Sequence, residues 1–300
     1  MGLLYLLLGL REKWKLKLGL LHLNHGLRGR ESVRDVRFVK GLARKYRFPL
    51  YHARRAVLKM AGREDFSLEE AARKARYDFF LKTAGRRRIS KIASAHTRDD
   101  QAETVLMRVL QGTGLRGLEG IRPRVKMGPV TFVRPLLEFS KKEVLAFLRH
   151  GQIPFCKDAS NQSPAFLRNR IRLKLLPELA RAFNPRIVET LARIPRIVRE
   201  ENEILAVLER AAWKRAVRRQ TSRKLFLDRK AFLKFPPALQ FRVLERGLRQ
   251  LDGKSGLSFD AWQGILPHLS RKRYRRSLPK DIDLDLTPLK LLLYKKFPRR

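Results

Sequence analysis

Asp100 and Glu103 stand one helical turn apart in SAHTRDDQAETVLMRVLQGTGLRGLEGIRP (94–123). At about 100° per residue, Ala102, Val105, Leu106 and Val109 form the apolar stripe of that helix. Asp100, Glu103 and Met107 then fall on the opposite face. Carboxylates so placed could hold Mg²⁺ beside a nucleotide or grip a substrate ammonium. They could equally do no more than complement the helix dipole, because acids are favoured in a first turn. Thr97 stands where a capping residue belongs, three places before Asp100.

Three other stretches carry chemistry-bearing residues. HLNHGLRG (22–29) gathers His22, Asn24, His25 and Arg28 ahead of a glycine. Two histidines suggest zinc, but no third ligand accompanies them. A loop touching a nucleotide or base fits better, and histidines satisfied within the fold fit as well. GTGLRG (112–117) matches GxGxxG. A dinucleotide fingerprint follows a strand and opens a helix, whereas this stretch closes one. It reads as a tight glycine loop with Arg116 available for a phosphate. Arg168, Arg170 and Arg172 crowd one short span. On a helix Arg168 and Arg172 share a face, while Arg170 points elsewhere. The cluster could hold phosphates or a carboxylate bidentately, or be solvated like other arginines of a basic chain.

The first half of the chain alternates strand and helix. Apolar runs at 16–23, 48–56 and 90–96 read as strands. Helical spacing covers 31–46, 67–84 and 97–112, and the second of these opens with a capping box, Ser67 to Glu70. The alternation predicts an α/β fold with a parallel sheet. Ligands of such sheets bind beyond the carboxyl ends of the strands, where His22–Arg28 and His96–Asp100 lie. After about residue 184 basic amphipathic helices take over, at 184–217, 236–251 and 258–269. The expected organisation is an α/β domain over 1–183, a connecting helix over 184–217 and a helical domain over 218–300.

Composition narrows the partners. Lys and Arg number 69 against 28 Asp and Glu, a net charge of +41 in 300 residues. Such a charge repels itself unless a polyanion neutralises it. A bias toward Arg at solvated positions also contributes, and RKRYRR (271–276) reads as a solvated helical face. Cys156 is the single cysteine, so a disulfide framework and a CxxC pair are both excluded; a reducing cytoplasm fits. The opening MGLLYLLLGL is no secretion signal, because Arg11, Lys13, Lys15 and Lys17 follow the apolar run instead of preceding it. It is also far shorter than the ~20 residues that span a bilayer. It reads as a buried helix of the kind that sits between two strands.

Together, HLNHGLRG, SLEEAARKARYDFF, AHTRDDQAETVLMRVLQGTGLRGLEGI, VRPLL (133–137), DASNQSPAFLRNRIR and LLPEL resemble the tRNA(Ile)-lysidine synthetases. These belong to the N-type ATP pyrophosphatase (PP-loop) family. The motifs occur in family order over about 16–180, and FPPALQFRVLERGLRQL is similar to the first C-terminal domain of that family. The second C-terminal domain of longer members is expected to be absent. The resemblance implies a PP-loop domain followed by a mainly helical, tRNA-binding domain, and a cytoplasmic enzyme using ATP and Mg²⁺. ATP would adenylate the C2 oxygen of the wobble cytidine in a tRNA(Ile) with a CAU anticodon. The side-chain amine of L-lysine would then displace AMP to give lysidine.

Carried over to these positions, the resemblance makes Asp100 the acid that works with metal or amine. Glu103 would recognise the lysine ammonium. Arg168, Arg170 and Arg172 would meet the lysine carboxylate or tRNA, with Arg116 a further contact of that kind. His22, His25, Arg28 and His96 would border the ATP and cytidine pockets. The family also admits a homodimer. One departure matters: the SGGxDS phosphate loop, whose amides cradle pyrophosphate, is missing from the sequence. In the family that loop runs into a helix like MGLLYLLLGL, so the chain is expected to begin just after it and to be inactive as it stands. Two other readings stay open: a non-catalytic basic tRNA-binding protein, and a PP-loop tRNA thiolase, although a thiolase usually needs more than one cysteine.

Overall fold

The computed structural model describes residues 1–26, 29–64, 67–155, 166–252, 256–278 and 281–296. They fall into two units, Met1–Val198 and Arg199–Arg300.

In the first unit the strand–helix alternation is as the periodicity predicts. Helix α1 (Gly2–Gly9) is followed by β1 (Leu20–Asn24), α2 (Gly29–Lys45), β2 (Leu50–Arg54), α3 (Val57–Glu64), α4 (Leu68–Arg87), β3 (Lys91–Ala93) and α5 (Arg98–Leu110). Ser67 and Glu70 close the capping box of α4: the Glu70 carboxylate accepts from the Ser67 N–H at 3.0 Å. A short α6 (Leu115–Leu118), the hairpin β4 (Arg124–Met127) and β5 (Val130–Val133), and α7 (Lys141–His150) come next. Most of α1 is half-buried. Its Gly2 packs so tightly on α7 that a Cβ there would lie 2.5 Å from Val144.

Strands β1 and β2 pair in parallel, as do β3 and β5, with β4 antiparallel on β5. Among the described residues β1 and β3 share no ladder, so the expected parallel sheet lies in two pieces. Both rest on α4. Leu23 packs with Ala71 and Ala75, while Ile92, Val130 and Phe132 pack with Ala84 and Leu21 of β1.

Beyond α7, helix α8 (Leu167–Arg170) passes into a π-helical turn (Ile171–Leu175) and then α9 (Leu176–Ala182). Ile171 and Leu176 bury against Ala102 and Val105 of α5, which sets this segment on the site helix. The long helix α10 (Ile187–Ala216) carries the division between the units, within the span expected to connect them.

The second unit departs from its sequence reading. The helices foreseen are present as α12 (Pro237–Asp252) and α13 (Phe259–Gln263), with a short α11 (Arg229–Leu233) before them. Beside them lies a five-stranded antiparallel sheet that helical periodicity did not reveal, in the order β6-β7-β10-β9-β8. Its strands are β6 (Val217–Gln220), β7 (Lys224–Asp228), β8 (Tyr274–Leu278), β9 (Ile282–Leu286) and β10 (Lys290–Lys295). RKRYRR is therefore no helix, since Tyr274–Arg276 open β8. Leu225, Leu227, Ile282, Leu284, Leu286, Leu291 and Leu293 project from one face into the core with Phe232, Leu244 and Leu248. No helix among the described residues is long and apolar enough to cross a membrane.

Candidate active site

Helix α5 is buried on nearly all sides at its start, Gln101 through Val105. Ala102 and Val105 face the core as the stripe predicts, but Val109 is exposed. Glu103 does not look into an open crevice: it is 1% exposed and sealed under α8 and the π-helical turn. Four charges meet there. Glu103 Oε2 accepts from Arg168 Nε at 2.8 Å and from Arg172 Nη2 at 2.9 Å, and its Oε1 accepts from Arg172 Nε at 2.5 Å. Asp100 Oδ1 accepts from Arg168 Nη2 at 2.9 Å and Arg172 Nη2 at 3.3 Å. Its Oδ2 accepts from the N–H and hydroxyl of Thr97, at 2.8 and 2.9 Å. Thr97 thus holds one oxygen of Asp100 while the arginines hold the other.

This quartet follows from helical geometry. Asp100 and Glu103 are i, i+3 on α5, and Arg168 and Arg172 are i, i+4 across the start of the π-helical turn. Planar guanidinium forks match carboxylates in fixed directions. Burial opposes the charge of Arg172, but the Glu103 hydrogen bond and the charges of Glu103, Asp100 and Asp99 outweigh it. They hold its pKa above the ordinary arginine value.

His96, just past β3, borders the quartet. Burial, opposed by Asp100 and assisted by Arg134, Arg168 and Arg73, lowers its pKa to about 4. It is therefore neutral at physiological pH, with Nδ1 3.0 Å from Ser94 Oγ. The buried Arg134 donates to the Arg122 carbonyl at 2.5 Å. Desolvation first, and then Arg73 and Arg168, hold Arg76 of α4 below the ordinary arginine value. Arg73, Arg76 and Arg134 complete a cationic wall that site-by-site sequence reading missed. The available signal was the i, i+3 pair in ARKAR directly after the capping box of α4.

A cleft of about 510 Å³ opens alongside, lined by Asp99, Asp100, Thr97, Lys141 and Arg172 and floored by apolar side chains of α1, α2 and α7. Asp99 accepts from the Lys141 N–H at 2.6 Å, which ties α5 to the start of α7.

Asp100 does not fit the role of metal ligand in this arrangement. Both of its oxygens are engaged, one of them by two guanidiniums, and no cluster of three His, Cys, Asp or Glu suited to a metal occurs among the described residues. Arg170 is exposed and outside the quartet, so the pair that meets the carboxylates is Arg168 and Arg172. Arg116 lies on α6, in the loop that closes α5. There Arg108 donates to the Gly117 carbonyl, and Gln101 grips both Ile121 N–H (2.6 Å) and C=O (2.9 Å). GTGLRG is thus a helix-closing loop, with Gly112 at φ +68°. His22 is paired in register with His52 on β2. Burial lowers its pKa, and its titratable neighbours are Asp35 and His52 instead of the quartet. His25 follows the end of β1, while Arg28 and Cys156 lie outside the described residues.

A family model described as a PP-loop domain matches residues 1–179. A tRNA(Ile)-lysidine synthase of a Bradyrhizobium species is 36% identical over 83% of this chain and 69% of that protein. The chain belongs to the PP-loop family, on its tRNA(Ile)-lysidine synthase branch. The enzyme of that name from Symbiobacterium thermophilum is 38% identical over 85% of this chain and 54% of its own length. The one from Clostridium tetani is 32% identical over 84% and 53%. The chain thus spans about half the length of these two relatives. Among solved structures, the U34-tRNA thiolase NcsA from Methanococcus maripaludis with its [4Fe-4S] cluster matches with a TM-score of 0.51 and 17% identity. The match covers 66% of this chain and 68% of that one, a likeness of PP-loop fold alone.

Proposed function

We propose that this chain carries the lysine-ligating centre of a tRNA(Ile)-lysidine synthase, and that the Asp100–Glu103–Arg168–Arg172 quartet is its amino-acid site. The observation that carries the reading is the buried, self-neutralising quartet. Lysine brings an α-ammonium and a carboxylate, and a side-chain amine that must be neutral to attack. Exchanging it into a cluster of two carboxylates and two guanidiniums conserves charge, so the ammonium can pass to Glu103 and Asp100 while the carboxylate takes a released guanidinium. Binding by such exchange favours a substrate with both charges.

The reaction then runs in two displacements. The C2 oxygen of the wobble cytidine attacks the α-phosphorus of ATP and pyrophosphate leaves. The ε-amine, having lost its proton, attacks C2, and the oxygen departs with AMP. His96, held neutral, offers a hydrogen bond without adding charge, and the wall of Arg73, Arg76, Arg134 and Arg168 attracts the triphosphate. Both oxygens of Asp100 are held by Thr97 and the two arginines in this arrangement, and no step is routed through Mg²⁺. These 300 residues contain no SGGxDS motif, and adenylation is proposed to depend on such a phosphate cradle. Sulfur insertion is disfavoured, because one cysteine cannot ligate an iron–sulfur cluster.

ATP–pyrophosphate exchange in the presence of CAU-anticodon tRNA tests the reading. It should be weak or absent with the 300-residue chain and present once a strand and SGGxDS loop precede Met1. Exchange by neither form would leave the non-catalytic RNA-binding reading.

A further inference from the structure

The sheet of the second unit has one face in the core and one face open. Because side chains alternate along strands, the open face follows from the register. Phe226, Leu292, Asp285 and Arg275 form one row, and Lys224, Tyr294, Asp283 and Ser277 the next. Phe226 on β7 and Tyr294 on the central β10 are diagonal neighbours on adjacent strands. Both are half-buried, with a cation over each ring: Lys290 lies 6.0 Å from the Phe226 centroid and Arg275 5.6 Å from that of Tyr294.

Asp283 pins this arrangement from beneath. It is 2% exposed and accepts from Arg275 (3.0 Å), Lys296 (2.9 Å), the Ser277 hydroxyl (2.8 Å) and the Tyr294 hydroxyl (3.2 Å). Arg275 also donates to the Tyr294 hydroxyl. The Asp283 carboxylate is covered by its donors, so the outward surface carries the two aromatics and the cations, with Asp285 a half-buried acid among them. Lys224, Lys290 and Arg275 are exposed.

We propose that this open sheet face binds unpaired RNA nucleotides. Two bases stack on Phe226 and Tyr294, and the flanking phosphates are met by Lys224, Lys290, Lys296 and Arg275. Paired aromatics on neighbouring strands of an open antiparallel sheet suit bases, each of which has a stackable face. The surrounding lysines and the net charge of +41 suit a phosphate backbone. The inference rests on the lysidine synthase reading only for which RNA is bound, a tRNA with a CAU anticodon.

The test uses the 300-residue chain, that tRNA and its separate stem-loops, by ultraviolet crosslinking with mass-spectrometric mapping and by binding titrations in graded salt. Crosslinks should map to Phe226 or Tyr294 in the unmodified chain. Phe226→Ala, which breaks no hydrogen bond, should weaken binding roughly tenfold, within the range for loss of one stacked base. Lys290→Gln should lower the salt slope by about 0.7, the release expected for one single-strand phosphate contact. Crosslinks confined to other surfaces, with wild-type affinity and slope in both variants, would overturn the proposal. So would crosslinking of this face to a protein in place of RNA. If both variants weaken binding but CAU-anticodon tRNA is not preferred over other tRNAs, the sheet face stands and the lysidine reading fails. If CAU-anticodon tRNA is preferred while the variants are silent, the reverse holds.

Discussion

Replacing Glu103 by Gln keeps the shape of the side chain and removes its charge. Three hydrogen bonds of 2.5 to 2.9 Å join Glu103 to Arg168 and Arg172, each worth about 1.5–3 kcal/mol as a charged bond. The loss is smaller than their sum. Both arginines stay bonded to Asp100, and their side chains are 26% and 22% exposed, so water regains part of the guanidinium surface. Removing one partner of a buried pair costs about 3–5 kcal/mol, and the low end, about 3 kcal/mol, is expected here. Arg172→Met should cost less, because Glu103 keeps Arg168. The double variant should then fall short of additivity by about 1–2 kcal/mol, as coupled neighbours do. Native-state hydrogen exchange of the α5 amides reads these energies locally, free of the second unit. A Glu103→Gln effect below about 1 kcal/mol, or strict additivity, would refute the quartet as a coupled cluster.

Other outcomes follow from the same geometry. Gly120 has φ +59°, and a Cβ there would lie 2.5 Å from Gln101 Oε1 and 2.8 Å from Pro195; Gly120→Ala should cost about 2–3 kcal/mol in denaturant titration. The depressed pKa of His96, about 4, means the unfolded chain binds the extra proton first. Its contribution is complete above the unfolded value near 6.5 and is lost as pH falls toward 4, by up to about 3 kcal/mol at 1.36 kcal/mol per pH unit. His96→Asn should flatten the stability profile across that window. Asp283→Asn strands Arg275 and Lys296, but these are 63% and 41% exposed, so the second unit should lose only about 1–2 kcal/mol, well below a fully buried pair.

Legibility in the sequence tracked the length scale of the forces. The capping box of Ser67 and Glu70, the helical stripe of α5 as far as Leu106 and the helix-closing role of GTGLRG are local, and each is found where spacing puts it. Spacing also put Asp100 and Glu103 on one face, and Arg168 and Arg172 on another. It could not say that the two faces meet, because that contact spans 65 residues or more and depends on Ile171 and Leu176 packing on Ala102 and Val105. Spacing therefore sets Glu103 on the face away from the core, and only the packing of that second segment buries it. The second sheet was half visible. IDLDL alternates with period two, placing Ile282, Leu284 and Leu286 inward. KLFLD and KLLLYK are short apolar runs that become strands only by pairing with it.

The central claim is that the quartet handles lysine, and nucleoside mass spectrometry tests it most directly. CAU-anticodon tRNA is incubated with ATP, Mg²⁺ and lysine, using the chain preceded by a strand and SGGxDS loop, with and without Glu103→Gln. The account predicts lysidine from the unmodified protein, and from the variant pyrophosphate exchange with little or no lysidine. Lysidine formed by the Glu103→Gln protein at the unmodified rate would contradict it.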